Sequence, residues 1–263
     1  LAGGYLNLLN RVGRERLLFG HRGVPKEAPE NTLAGFRRAL ELGLDGVELD
    51  VRRCGSKELV VFHDNEVNRL TAGRGRVADL TFEEIRRLDV GARFGEGFRG
   101  EKIALLEEVL ELLGGKMLIN IELKTKSIRS EGLEADVVAL VQKMQLQSSV
   151  IFSSFNPFSI RRVKQSGDRL CAALLFADDQ PVHLRRAWAS NIIRLDGIHP
   201  RYPLVSRKLV QKARLKMWFM GTWTVDTAAE ASRLYDAGVD IVITNRPAQL
   251  RQELGRELEK QSR

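Results

Sequence analysis

The chain has 263 residues, 43% hydrophobic and 29% charged, with 23 glycines and 7 prolines. That balance excludes a disordered, collagen-like or disulfide-stapled chain, and no run approaches the ~18 consecutive apolar residues that would span a bilayer. Lys plus Arg total 42 against 34 Asp plus Glu, a net charge of +8, which favours anionic partners. The arginines are scattered in pairs such as Arg37-Arg38 and Arg86-Arg87 with acids between them, so no basic block points to nucleic acid. Cys54 and Cys171 form no CxxC and lie far apart, as suits reduced thiols and a cytoplasmic location. Residues 1–14 lack the layout of a signal peptide. There Tyr5, Leu6, Leu8, Leu9 and Val12 form one face of a short helix that either caps the domain or touches an anionic lipid surface.

Short apolar runs at 17–20, 46–51, 117–123, 150–154, 171–176, 195–199, 217–223 and 240–244 read as strands. Helix-period stretches separate most of them, at 33–42, 105–113, 133–144, 158–166, 182–189, 206–213 and 228–237, and a last one spans 247–259. Strands alternating with helices predict a parallel sheet, and eight such units in about 250 residues have the size and count of a (β/α)8 TIM barrel. A doubly wound open sheet is the second choice, and its Gly-rich GxGxxG turn is absent.

Two segments break the alternation. The apolar run 59–62 follows residues 48–53 after only five residues, too few for a parallel crossover, so an antiparallel hairpin is expected. A two-residue Gly55-Ser56 turn would pair Lys57 with Cys54, Leu59 with Arg52, Val61 with Asp50 and His63 with Glu48. Residues 65–102 are Gly- and Arg-rich, with one short helix at 81–88 opened by the capping pattern Thr81-Phe82-Glu83-Glu84. They read as a small subdomain inserted into a single domain spanning 1–263.

In such a barrel the site lies where strands end. Glu48 and Asp50, two apart on a strand, face the same way. If Glu122 also points inward, three carboxylates meet and need neutralising. Either a hard cation such as Mg2+ or Ca2+ does this, or each acid pairs separately with Arg22, Arg52 or Lys124. His21 and His63 are two of only four histidines, and both fall at strand ends facing the same cleft. One could take a proton from a nucleophile while the other gives one to a leaving oxygen. Arg22 and Lys124 carry donors that suit phosphate oxygens. Together these are the parts of a phosphoryl-transfer site.

These residues resemble the glycerophosphodiester phosphodiesterase family. The resemblance is carried by His21-Arg22-Gly23, Pro29-Glu30-Asn31-Thr32, Val47-Glu48-Leu49-Asp50-Val51, Val61-Phe62-His63-Asp64 and Ile121-Glu122-Leu123-Lys124. Ser153-Ser154-Phe155, Thr222-Trp223-Thr224-Val225 and Thr244-Asn245 add weaker support. It implies a TIM barrel that hydrolyses glycerophosphodiesters to glycerol 3-phosphate and an alcohol with one divalent cation, Mg2+ or Ca2+, or else Mn2+. It makes His21 and His63 the acid–base pair, Glu48, Asp50 and Glu122 the metal ligands, and Arg22 and Lys124 the phosphate contacts. Glu30 and Asn31 would lie close to the substrate, Asn31 having helix capping as its other use, and Phe155 and Trp223 would line the pocket. Two departures, Ile103-Ala104-Leu105-Leu106 after the insertion and Arg69-Leu70-Thr71 within it, leave the alcohol specificity open. A lysophospholipase D acting on lysophospholipids at a membrane surface is the alternative.

Overall fold

A computed structural model describes residues 8–125, 127–167, 169–180 and 193–261. The strands are β1 (Leu17–His21), β2 (Gly46–Arg53), β3 (Leu59–Val61), β4 (Leu118–Leu123), β5 (Val150–Ser154), β6 (Cys171–Phe176), β7 (Gly197–Pro200), β8 (Phe219–Thr222) and β9 (Ile241–Thr244). The α-helices are α1 (Leu33–Glu41), α2 (Phe82–Arg87), α3 (Leu106–Leu113), α4 (Leu133–Lys143), α5 (Pro157–Gln165), α6 (Arg207–Leu215), α7 (Ala228–Ala237) and α8 (Pro247–Gln261). The parallel strands run in the order β1, β9, β8, β7, β6, β5, β4, β2, and β2 pairs back with β1, closing a TIM barrel. The helix expected over 182–189 lies outside the described residues, as do Tyr5 and Leu6.

Two apolar layers follow from the period-2 alternation of the strands. Leu17, Phe19, Leu118, Ile151, Ala173, Ile241 and Ile243 fill the barrel interior, with Leu9 and Val12 packed against them, so the described part of the amino-terminal segment caps the barrel. Outward residues such as Val47, Leu49 and Ile119 pack against Phe36, Val109 and Val137 of the helices. Inside, small residues make room for large ones: a Cβ on Gly46 would lie 2.6 Å from the Phe19 ring, and one on Gly221 would lie 2.6 Å from His199.

The hairpin closes one residue away from the expected register. Val51 pairs with Val61, Arg52 with Val60 and Arg53 with Leu59. The physical reason is that Gly55 is used for close approach: its N–H donates to the Leu80 carbonyl at 2.7 Å, and a Cβ there would sit 2.9 Å from that oxygen. The left-handed position falls at Lys57 instead (φ 82°), so the loop is three residues long and closed by the Cys54 N–H to the Glu58 carbonyl at 3.0 Å. Strand β8 is also shorter than expected, because Lys216 and Met217 belong to the turn that ends α6.

Between β3 and α3 the chain forms α2 and three 3-10 turns around a separate small core of Val67, Val77, Ile85 and Val90. Thr81 caps α2 with the expected capping box. At α1 the cap is Thr32, not Asn31: its hydroxyl accepts from the Gly35 N–H at 3.2 Å and donates to the Pro29 carbonyl at 2.7 Å. Asn31, in the left-handed region (φ 58°), directs its amide elsewhere. Thr32→Ala should lower the unfolding free energy by about 1 kcal/mol in urea titration, and an unchanged midpoint would show that this cap carries no load.

Candidate active site

The carboxyl ends of the strands bring the predicted polar residues to one cleft of about 300 Å3, lined in part by His21, Glu48, His63, Glu122, Phe155 and Trp223. Parity explains the gathering. His21 continues the inward series Leu17, Phe19, and Asn120 and Glu122 continue it from Leu118. Glu48 and Asp50 continue it from Gly46.

The three acids are nearly water-free, with exposures of 4% for Glu48, 1% for Asp50 and 8% for Glu122. One oxygen from each lies within 4.8 Å of the others. Asp50 is the most heavily bound. The Asn31 amide donates to it at 2.8 Å, and its own N–H donates back to Asn31 Oδ1 at 3.3 Å. Lys124 Nζ sits 2.9 Å from Asp50 and 2.7 Å from Glu122, and Arg22 Nε is 3.3 Å from Asp50. Burial pushes the Asp50 carboxyl up, yet Lys124 and Arg22 outweigh it and hold it below the usual carboxylate range. Glu48 is different. Among the described residues no Lys or Arg side chain comes within 4 Å of it; it accepts the Arg22 N–H at 3.1 Å and lies 3.8 Å from His21 Nε2. Burial, then Asp50 and Glu122, push it well above the usual range. Two cations thus face three acids, and the donors are all hard oxygens, a set that fits Mg2+ or Ca2+.

The two imidazoles have different supports. His21 Nδ1 is 2.7 Å from Asn245 Oδ1. Asn245 Nδ2 donates to Asp226 at 3.0 Å, and the Asn245 N–H and Thr244 hydroxyl donate to the same carboxylate at 2.8 and 2.9 Å. Because Asp226 accepts from the amide nitrogen, Asn245 turns its oxygen to His21. In the neutral ring Nδ1 therefore carries the proton and Nε2, on the side of Glu48, the lone pair. Burial and Arg22 lower His21 to about 4. His63 Nδ1 instead lies 2.7 Å from the Asp64 carboxylate, which Arg69 holds at 2.5 Å. Burial lowers the His63 value as well, against the pull of Asp50. His63 still lines the cleft despite the one-residue shift of the hairpin.

The other candidates fall in two groups. Phe155 and Trp223 meet edge to face at the cleft, 5.5 Å between centroids. Glu30 and Asn31 stand behind it. Glu30 bridges Arg22 at 2.9 Å and Arg69 at 2.6 Å, and Asn31 is 2% exposed beneath Asp50. His199 lies in the barrel interior, fully buried, with neither ring nitrogen hydrogen-bonded among the described residues. Four residues given no role from the sequence matter here: Arg69, Asp226, Asn245 and Asn120, whose amide is buried and without a hydrogen-bond partner among the described residues. Two of them left a readable signal: Asn245 in the strand-end pair Thr244-Asn245, and Asn120 as a polar residue at the inward parity of an apolar strand.

The fold and this mouth define a TIM-barrel enzyme with an acid cluster, two imidazoles and two cations at its catalytic end. Comparison narrows the class. A model of the glycerophosphoryl diester phosphodiesterase family matches residues 21–249. The chain is 40% identical over 239 residues to a glycerophosphodiester phosphodiesterase of Caldanaerobacter subterraneus, covering 89% of this chain and 96% of that protein. It is similar to the crystal structure of a putative glycerophosphoryl diester phosphodiesterase from Silicibacter pomeroyi (TM-score 0.83, 25% identity, 94% and 96% of the two chains). It is also similar to an Oleispira antarctica phosphodiesterase in complex with the product sn-glycerol-3-phosphate (TM-score 0.81, 26% identity, 94% and 99%). The chain belongs to this family of phosphoric diester hydrolases.

Asn245→Ala frees the His21 ring without touching the acids. It should lower kcat about 10²-fold with KM little changed, measured by steady-state kinetics; a wild-type kcat would show that the amide does not orient the ring.

Proposed function

We propose that the chain hydrolyses glycerophosphodiesters to glycerol 3-phosphate and an alcohol, with a divalent cation and the His21–His63 pair as its catalytic parts. The observation that carries this reading is the placement of three buried carboxylates and two imidazoles around one cleft. The product bound to the Oleispira relative supports the same substrate class. Residues 1–263 then act as one domain with 65–102 inserted in it.

Glu48, Asp50 and Glu122 would hold Mg2+ or Ca2+, with Mn2+ a third choice. When bound, the cation supplies Lewis-acid withdrawal of charge from the phosphoryl oxygens. Arg22 and Lys124 donate to the nonbridging oxygens, where charge grows in the transition state. The supports of the imidazoles divide their work. His21, backed by a neutral amide and kept uncharged by burial, takes the proton of the attacking oxygen from its Nε2 side. His63, its Nδ1 held 2.7 Å from the Asp64 carboxylate, is the imidazole oriented to give a proton to the departing alcohol. Phe155 and Trp223 hold the apolar edge of the substrate. Glu30 and Asn31 act one step back, by fixing Arg22 and Asp50. Both cysteines are free, which suits a reducing, cytoplasmic compartment.

A second reading, action on lysophospholipids at an anionic surface, draws on exposed apolar residues, Phe94 (40%) and Ile128 (67%) in loops and Phe158 (39%) in the first turn of α5. One coupled glycerol 3-phosphate assay tests both. Release of glycerol 3-phosphate that EDTA abolishes, and that falls about 10²–10⁴-fold in His21→Ala and in His63→Ala, is expected. EDTA-insensitive turnover would contradict the account, and faster cleavage of a lysophospholipid than of its deacylated counterpart would select the second reading. The pH profile has a definite sign. A base lowered to about 4 stays neutral as pH falls, so kcat/KM should persist below the ordinary imidazole value near 6.5 and decline only toward 4.

A further inference from the structure

Beside the catalytic cleft lie two adjoining hollows of about 430 and 330 Å3 that share Arg52, Asn65, Lys124 and Thr125. The inner one also shares His63, Glu122, Lys124 and Phe155 with the cleft, so together they form a trench leading away from the reacting centre on the His63 side. Its walls are cationic: Arg52, Arg53, Arg76 and Lys124.

Lys124 is committed to Asp50 and Glu122. Arg53 is engaged at both terminal nitrogens, Nη1 donating to the Glu131 carbonyl and Nη2 lying 3.1 Å from Asp136, while its Nε is buried without a hydrogen-bond partner among the described residues. Arg76, largely exposed, is 3.8 Å from Asp79. Arg52 is the informative one. It is partly buried, and its Nε and Nη2 both donate to the His63 carbonyl, at 3.0 and 2.6 Å. Among the described residues no carboxylate lies within 4 Å of it and Nη1 donates to nothing. Burial lowers its pKa even against Asp50, Glu122 and Asp64. Its Nη1 is therefore open to the trench, and a partly buried guanidinium bonded only to a neutral carbonyl has no carboxylate paired with it among the described residues. Of the carboxylates along the trench, Asp64 is held by Arg69 and His63, and Glu122 by Lys124. Glu131, exposed at the outer lip, is left to face the cations.

We propose that this trench receives the alcohol half of the diester and selects alcohols that carry an anionic group of their own, a phosphate or a carboxylate. The inference rests on the phosphodiesterase reading above and extends it to a substrate class. His63 stands where the trench meets the cleft, so an alcohol lying there leaves past the imidazole that protonates it. Arg52 and Arg76 offer the donors that bind phosphate or carboxylate in a planar fork. A cationic headgroup such as choline meets the wrong sign of charge in the same place.

The test compares glycerophosphoinositol with glycerophosphoinositol 4-phosphate, which differ by one phosphate, and adds glycerophosphocholine, all with Mg2+ and glycerol 3-phosphate as the readout. The wild type should prefer the phosphorylated substrate by about tenfold in kcat/KM, with glycerophosphocholine slowest. Arg52→Gln and Arg76→Glu should each lower that preference about threefold or more. The ratio is taken within each variant, so a general loss of turnover cancels. Equal kcat/KM for the two inositol substrates, or a preference that Arg76→Glu leaves unchanged, overturns the trench assignment while leaving the phosphodiesterase reading intact. Release of glycerol 3-phosphate from none of the three overturns that reading and the inference with it.

Discussion

The catalytic end depends on a charge imbalance placed where water cannot correct it. Asp50 can be ionised at 1% exposure because Asn31, Lys124 and Arg22 surround it. Glu48, one step away along the same strand face, has no such cation and is pushed toward its neutral form. A site with three acids and two bases is electrostatically unfinished, and the remaining charge has to come from something that binds there. The rest of the mouth is arranged around that deficit. The loop after β1 turns Arg22 inward, and Arg22 in turn is anchored by Glu30, which Arg69 of the insertion also grips.

Support therefore passes between parts of the chain that are remote in sequence. Arg69 ties the insertion to Glu30 on one side and to Asp64, and through it His63, on the other. Asp226, after β8, sets the orientation of Asn245, after β9, and through it the tautomer of His21 on β1. The barrel brings the ends of these strands together. Each imidazole consequently has its own partner, an amide for one and a carboxylate for the other, and that difference distinguishes two otherwise similar rings. The alternation of buried interior layers with outward faces makes the geometry stiff, since Phe19 and His199 occupy space that Gly46 and Gly221 leave open.

Much of this was legible in the sequence because two periodicities determine it. The alternation of apolar runs with helical stretches implied the barrel, and the two-residue strand period put Glu48 and Asp50 on one face. Local chemistry was harder to read where two neighbours could do the same job. Asn31 and Thr32 are both good caps, and only the packing shows that Thr32 takes the helix while Asn31 takes Asp50. Gly55 looked like a turn residue but serves close contact with Leu80, and the register moved by one. Arg69 lies in a stretch with no periodicity, and Asn245 and Asp226 meet only because β8 and β9 are adjacent. Such partners follow from tertiary placement, which no local pattern encodes.

The account stands most directly on the unfinished charge of the acid cluster. A calorimetric titration of metal-free protein with Mg2+ or Ca2+ reads it without any assumption about substrate. One cation should bind per chain in the wild type, with the affinity strongly reduced in Glu48→Gln and in Glu122→Gln although both variants remain folded by circular dichroism. Absence of binding in the wild type, or an affinity indifferent to the loss of Glu48, would contradict it.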